Sequence, residues 1–106
     1  MTNQDILLAC NPLALPIVQR QKFDALTESL VAAALEMREH ENGLSLRFAN
    51  EPGRLKQIAE FIERESLCCP FLNFSLDIEP EQGPIWVKLT GPGGVKELLL
   101  AEMGIA

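Results

Sequence analysis

Two adjacent cysteines, Cys68 and Cys69, stand directly before Pro70 and are the residues of this chain best suited to chemistry. Thiolates bind soft and borderline ions such as Zn²⁺, Cu(I) and, by the same preference, Hg(II) or As(III). An adjacent pair of thiols can instead be oxidised, or can pack as two small apolar side chains. The pair therefore indicates three alternatives: a soft-ion site, a redox site or a structural role in the core.

The spacing of the two cysteines weakens the most specific of these interpretations. The Cys-x-x-Cys spacing that is typical of zinc and thiol redox motifs is absent. The pair is expected at the carboxyl end of a helix, where the helix dipole is negative and does not lower a thiol pKa. For this reason no catalytic residue is assigned, and the sequence does not decide whether the chain is an enzyme.

Glu65 precedes the two cysteines by three and four residues, in a position that is unusual for a carboxylate. On a helical wheel that starts at Leu55, apolar side chains occupy an arc from roughly 240° through 0° to about 40°. Glu65 falls inside this arc, at about 280°. Buried carboxylates are normally paired or ligated. Glu65 is therefore expected either to share a pocket with the thiols, as ligand, base or hydrogen-bond acceptor, or to reach solvent at the helix end or cap the backbone amides of Cys10 to Leu13.

The third cysteine, Cys10, lies far from the pair in the sequence. If the N-terminal segment crosses near Cys69, Cys10 completes a three-thiolate site. The predicted metal ligands are then Cys68, Cys69, Cys10 and Glu65. His40, the single histidine, is expected to be exposed at a hairpin end and is not predicted to be a ligand.

Hydrophobic periodicity predicts the elements that must position these residues. Helical spacing predicts three helices. The first covers about residues 19–31, the second begins at about residue 52 and ends between residues 67 and 69, and the third covers about residues 95–103. Alternation of apolar and polar residues predicts four strands, over about 35–38, 44–48, 72–78 and 85–90. Asn42-Gly43 is expected to form the first hairpin turn, because this dipeptide tolerates positive φ. A longer first helix in place of the first strand is the main alternative.

The order of elements is helix, hairpin, helix, hairpin, helix, and the 106 residues are expected to form a single domain. This order predicts an α+β fold in which two hairpins form a four-stranded antiparallel sheet, with the helices packed on one face. In the third strand, the period of two predicts one buried face that carries Leu72, Phe74, Leu76 and Ile78.

Charge and composition exclude several classes of partner. The net charge of −6 argues against nucleic acid and anionic membranes, which need a basic face, but suits cations. No stretch approaches the roughly 18 apolar residues of a membrane span. Leu7-Leu8-Ala9-Cys10 resembles a lipoprotein cleavage box, but the segment before it has no basic residue and its apolar run is too short. The odd number of cysteines also favours a reducing compartment, so a cytoplasmic protein is predicted.

The segment 63–74 resembles a group of small bacterial proteins marked by the motif E-x-x-C-C-P/S-F-x-x-F. An upstream cysteine, a strand that ends in L-x-F and a late Gly-Pro turn also occur in that group, and here they correspond to Cys10, Leu46-Arg47-Phe48 and Gly91-Pro92. The resemblance covers most of the chain. It implies a common architecture and a shared set of Cys10, Glu65, Cys68 and Cys69, but no particular activity.

Three functions remain open. The leading hypothesis is a small cytoplasmic soft-metal or metalloid-binding protein, whose partner is a metal ion such as Zn²⁺, Cu(I) or Hg(II). The second is a thiol-based redox or transfer enzyme, in which one residue of the Cys68–Cys69 pair is the nucleophile and the other the resolving thiol. The third is a non-catalytic α+β module that forms a homodimer through its sheet or through an apolar patch.

Overall fold

A computed structural model describes residues 16–104 of the chain. Within this range the order of elements is helix, hairpin, helix, hairpin, helix, which confirms the predicted α+β fold. The elements are α1 (Ile17–Ala33), β1 (Glu36–His40), β2 (Gly43–Phe48), α2 (Arg54–Cys68), β3 (Asn73–Ile78), β4 (Ile85–Thr90) and α3 (Val95–Glu102).

The two hairpins join into one antiparallel sheet in the order β1-β2-β4-β3. β2 and β4 are the central strands. Their pairing begins with Gly43 opposite Thr90 and ends with Phe48 opposite Ile85. Alternate apolar residues of these two strands form the buried core of the sheet, namely Leu44, Leu46, Phe48, Ile85, Val87 and Leu89. The apolar alternation seen in the sequence is therefore the inward face of the two central strands.

The helices cover that apolar face. The residues that α2 and α3 contribute to the same core cluster include Ile58, Phe61, Val95 and Leu99. α1 buries only Leu30 and reaches α2 through a stack of Phe23 on Phe61, whose ring centroids are 5.8 Å apart. None of the helices in the range 16–104 has the length and apolarity needed to cross a membrane.

The opposite face of the sheet is polar, as the strand alternation predicts. Trp86 lies on this face, and the guanidinium of Arg38 sits 4.6 Å from the centre of its ring. The indole Nε1 of Trp86 donates a hydrogen bond of 3.2 Å to the carboxylate of Glu79. The ring of Trp86 is thus contacted by a side chain of β1 and by the residue that follows β3.

The third strand departs from its predicted burial. Leu76 and Ile78 are each 43% exposed, although their partners Val87 and Ile85 in β4 are buried. The register is as predicted, because the polar positions of β3 face the other way and are exposed. The predicted burial of Leu76 and Ile78 is wrong because β3 is an edge strand and no described helix covers this part of it.

The first hairpin turn does not use the positive φ that was predicted for Asn42-Gly43, whereas the second turn contains two residues in the left-handed region. Neither Asn42 nor Gly43 has a positive φ; Glu81 and Gln82, in the second turn, have φ of 60° and 58°. Gly43 lies in β2, where a side-chain carbon would overlap the carbonyl oxygen of Leu89. Close approach of two strands, and not positive φ, therefore explains this glycine.

A non-glycine residue in the left-handed region costs about 1–2 kcal/mol, and glycine removes this cost but raises the entropy of the unfolded chain, which offsets part of the gain. Replacing Gln82 with glycine is therefore expected to stabilise the protein by roughly 0.5–1 kcal/mol. Urea unfolding measures the difference. The matched change Gln57→Gly, inside α2, should instead destabilise by about 1 kcal/mol. Equal effects of the two changes would contradict the left-handed turn.

Candidate functional site

The candidate site lies where the carboxyl ends of α2 and α3 meet. Glu65, Cys69 and Glu102 each offer one ligand atom, and these three atoms lie within 4.8 Å of one another. Glu65 is in the last turn of α2, Cys69 directly follows that helix, and Glu102 is the last residue of α3. Helix carboxyl ends carry partial negative charge, so this arrangement favours protons or cations over anions.

A break in the backbone at Cys69 turns both cysteines inward. Cys69 has φ −125° and ψ 75°, outside the helical region, as expected for a residue before proline. Its N–H still donates a hydrogen bond of 2.7 Å to the carbonyl of Glu65, which closes the last turn of α2. As a result Cys68 and Cys69 are both buried, and they pack against Phe23, Phe71 and Leu72.

Glu65 is completely buried, as its place on the apolar arc predicts. Neither of its carboxylate oxygens has a hydrogen-bond partner within residues 16–104. Burial is the main cause that raises the pKa of Glu65 from 4.5 to about 9, and the nearby carboxylate of Glu102 raises it further. Glu65 is therefore neutral at neutral pH.

Cys69 has its sulfur in a disulfide. Its Sγ also lies 3.7 Å from Oε2 of Glu102. A disulfide sulfur has no proton to donate, so this distance marks a contact and not a hydrogen bond donated by Cys69. Cys10, the third thiol of the predicted ligand set, lies outside the described residues.

Cys68 is a free, buried thiol that does not belong to the group formed by Glu65, Cys69 and Glu102. Burial raises its pKa, and the charges of Glu65, Glu102 and Asp24 add to this shift. Since Glu65 is neutral at neutral pH, its contribution there is small and burial remains the main cause. Cys68 is thus held as a thiol, which makes it a weak nucleophile.

Glu102 is the residue of the group that sequence analysis did not identify. It lies in the last turn of the final helix, 33 residues beyond Cys69. The sequence held one signal for it. An acidic residue at the carboxyl end of a helix interacts unfavourably with the helix dipole, which indicates a role other than stabilising that helix. Its proximity to Glu65 depends on how α3 packs, which no local pattern reveals.

An acidic opening lies beside the site. A surface cavity of about 230 Å³ is lined by Phe23, Asp24, Thr27, Glu28, Glu102 and Met103. Glu102 belongs both to this cavity and to the group of Glu65, Cys69 and Glu102, so the cavity adjoins the site. With three carboxylates around it, the opening attracts cations and repels anions.

No protein-family model, no curated protein and no solved structure significantly matches this chain. The resemblance of the segment 63–74 to small bacterial proteins therefore stays a prediction.

Proposed function

We propose that the reduced chain binds a borderline divalent cation, best matched by Zn²⁺, through Glu65, Cys69 and Glu102. The observation that carries this proposal is the buried carboxyl of Glu65, which has no hydrogen-bond partner among residues 16–104 and lies within 4.8 Å of the two other donors. Leaving a buried polar group without a partner costs about 1–3 kcal/mol. A bound cation would satisfy both carboxylate and thiolate in the same place.

The kind of donor narrows the choice of ion. Two carboxylates and one thiolate form a mixed oxygen and sulfur set, which suits Zn²⁺, whereas Cu(I) favours sulfur ligands. Three protein ligands would also leave one position of a tetrahedral zinc ion for water or another molecule. This donor set therefore favours Zn²⁺ over the Cu(I) and Hg(II) that the cysteine pair alone suggests. Neither Cys68 nor Cys10 is a ligand in the proposed site.

The proposal concerns the reduced state because the sulfur of Cys69 is a disulfide sulfur in the structure. Reduction gives a thiol, and binding then requires this thiol and the neutral carboxyl of Glu65 to lose their protons. The acidic cavity at Glu102 supplies the route of entry and a local excess of cations. Binding should therefore need a reductant and should release protons into the buffer.

The decisive experiment compares two neighbouring cysteines. Titration calorimetry with ZnCl₂ and a non-thiol reductant should show one site per reduced chain, and Cys69→Ser should weaken it by at least about 100-fold, the upper range for lost supporting groups. Cys68→Ser is the matched control, with expected affinity within a few-fold of the natural chain. Absence of binding by the reduced chain, or equal affinity in Cys69→Ser, would overturn the proposal.

A second function is favoured by one specific observation: the disulfide sulfur of Cys69 lies beside the neutral carboxyl of Glu65. In thiol–disulfide exchange, a dithiol reduces this disulfide and becomes a disulfide itself, giving up two electrons and two protons. Glu65 could give a proton to the departing sulfur of Cys69 and regain one from solvent. The burial of both cysteines and the acidic opening oppose the approach of a thiolate, so we place this function second.

Reduction kinetics separate the second function from the first. An exchange enzyme should be reduced by dithiothreitol faster than an ordinary buried disulfide, and Glu65→Gln should slow this step. A slow reduction that Glu65→Gln leaves unchanged would remove the redox function and leave the zinc proposal intact.

A further inference from the structure

We propose that the free edge of β3 binds a second copy of this chain, so that the two four-stranded sheets continue across a two-fold axis. This inference is independent of the metal site. It rests on three features of β3: the charge along its edge, the exposed apolar residues beside it, and a sequence that can pair with itself.

The two edges of the sheet differ in charge. β1 carries Glu36, Arg38, Glu39 and His40 among its five residues, and Glu39 is paired with Lys96 at 3.6 Å. Charged side chains of this kind protect an edge strand from pairing with another chain. β3, Asn73–Ile78, has the single charged residue Asp77 and no lysine or proline. Of the two edges, only β1 is protected in this way.

An apolar surface accompanies the β3 edge on the helix side of the sheet. Leu76 and Ile78 are each 43% exposed, and Leu55, at the start of α2, is 39% exposed. An open cavity of about 640 Å³ lies at this end of the sheet, with Leu55 on its α2 side and Gln82 of the β3–β4 turn on the other. A partner at the β3 edge would cover Leu76 and Ile78, which no described helix covers.

The sequence of β3 is compatible with antiparallel pairing to itself. With Ser75 on the two-fold axis, Leu76 faces the second copy's Phe74, and Asp77 faces the second copy's Asn73. The apolar residues of both copies then lie on one face of the combined sheet, and no two like charges are opposite each other. A two-fold interface requires this kind of self-complementarity, which favours a second copy over an unrelated partner.

Molar mass in solution tests the proposal. Size-exclusion chromatography with light scattering on the full chain should give a dimer, and Leu76→Lys should raise its dissociation constant by at least about 10-fold, a change of 1.4 kcal/mol. Leu35→Lys is the matched control, because Leu35 is an equally bulky and 57% exposed residue beside the β1 edge. The samples should span an about 100-fold range of concentration that ends at about 1 mM. A full-length chain that is still monomeric in the most concentrated sample would overturn the proposal. A dimer whose dissociation constant Leu76→Lys leaves unchanged would also overturn it.

Hydrogen exchange gives a second measurement that depends on no variant. In the natural chain, amides of β3 that face away from β4 should be protected in concentrated samples and lose protection on dilution. Protection that persists in a monomer would mean that another part of the same chain covers this edge, and it would also overturn the proposal. Amides of β1 serve as the internal reference, because their protection should not depend on concentration.

Discussion

Raising the pH from 5 to 8 is expected to destabilise the metal-free protein steadily, and Glu65→Gln should remove most of this dependence. The pKa of Glu65 is about 9 in the folded chain, against an ordinary value of 4.5. Between these two values the unfolded chain loses a proton that the folded chain retains, so unfolding releases a proton. Each pH unit in this window then lowers the free energy of unfolding by about 1.4 kcal/mol.

The direction follows from which state binds the proton more tightly. Below pH 4.5 both states hold the proton of Glu65, so the contribution of this group to stability is complete; it is lost as the pH rises towards 9. Glutamine has nearly the same shape and does not titrate. Glu65→Gln should consequently be more stable than the natural chain at pH 8, although it changes a residue of the candidate site.

Urea unfolding at pH 5, 6.5 and 8 with a chelator present measures this effect. The range ends at pH 8 because the ordinary pKa of a cysteine thiol is 9.0 and that of Cys68 is raised further, so Cys68 stays protonated. Glu63→Gln, an exposed change on the same helix, is the control and should leave the slope with pH unchanged. If Glu65→Gln kept the slope of the natural chain, the buried carboxyl would not be neutral.

The sequence predicts the order and type of the elements because each one carries a local signal. Apolar alternation identifies the strands, and the alternative of a longer first helix is excluded by the hydrogen bond of 2.7 Å that the N–H of Leu35 donates to Arg47. The order of strands within the sheet has no such signal. It places β3 at an edge, which is why the exposure of Leu76 and Ile78 could not be read from their spacing.

The candidate site is predictable only where it depends on a single helix. The burial of Glu65 follows from its angle on the helical wheel, and that angle is a property of α2 alone. The choice between Cys68 and Cys69 depends on the backbone break before Pro70, whose direction the sequence does not specify. The approach of Glu102 depends on the packing of α3, and so it required the structure.

Replacing Gly43 with alanine should destabilise the protein by about 3 kcal/mol, the upper range for overpacking. A side-chain carbon at this position would overlap the carbonyl oxygen of Leu89 and lie 2.9 Å from Cα of Thr90. These are backbone atoms of β4, so they cannot turn away as the end of a flexible side chain can. Because β2 and β4 are the two central strands, relief of the overlap would separate the strands on which the core is built.

Gly93→Ala is the matched control for Gly43→Ala. An added carbon at Gly93 meets no atom within 4 Å, and the φ of this residue is not in the left-handed region. Its effect on the urea unfolding free energy should therefore stay within about 0.5 kcal/mol, as for ordinary surface changes. Equal stability of the two alanine variants would show that Gly43 does not lie against β4, and the pairing of Gly43 with Thr90 would then be wrong. A loss confined to Gly43→Ala would instead show that this glycine is needed for the close approach of the two strands.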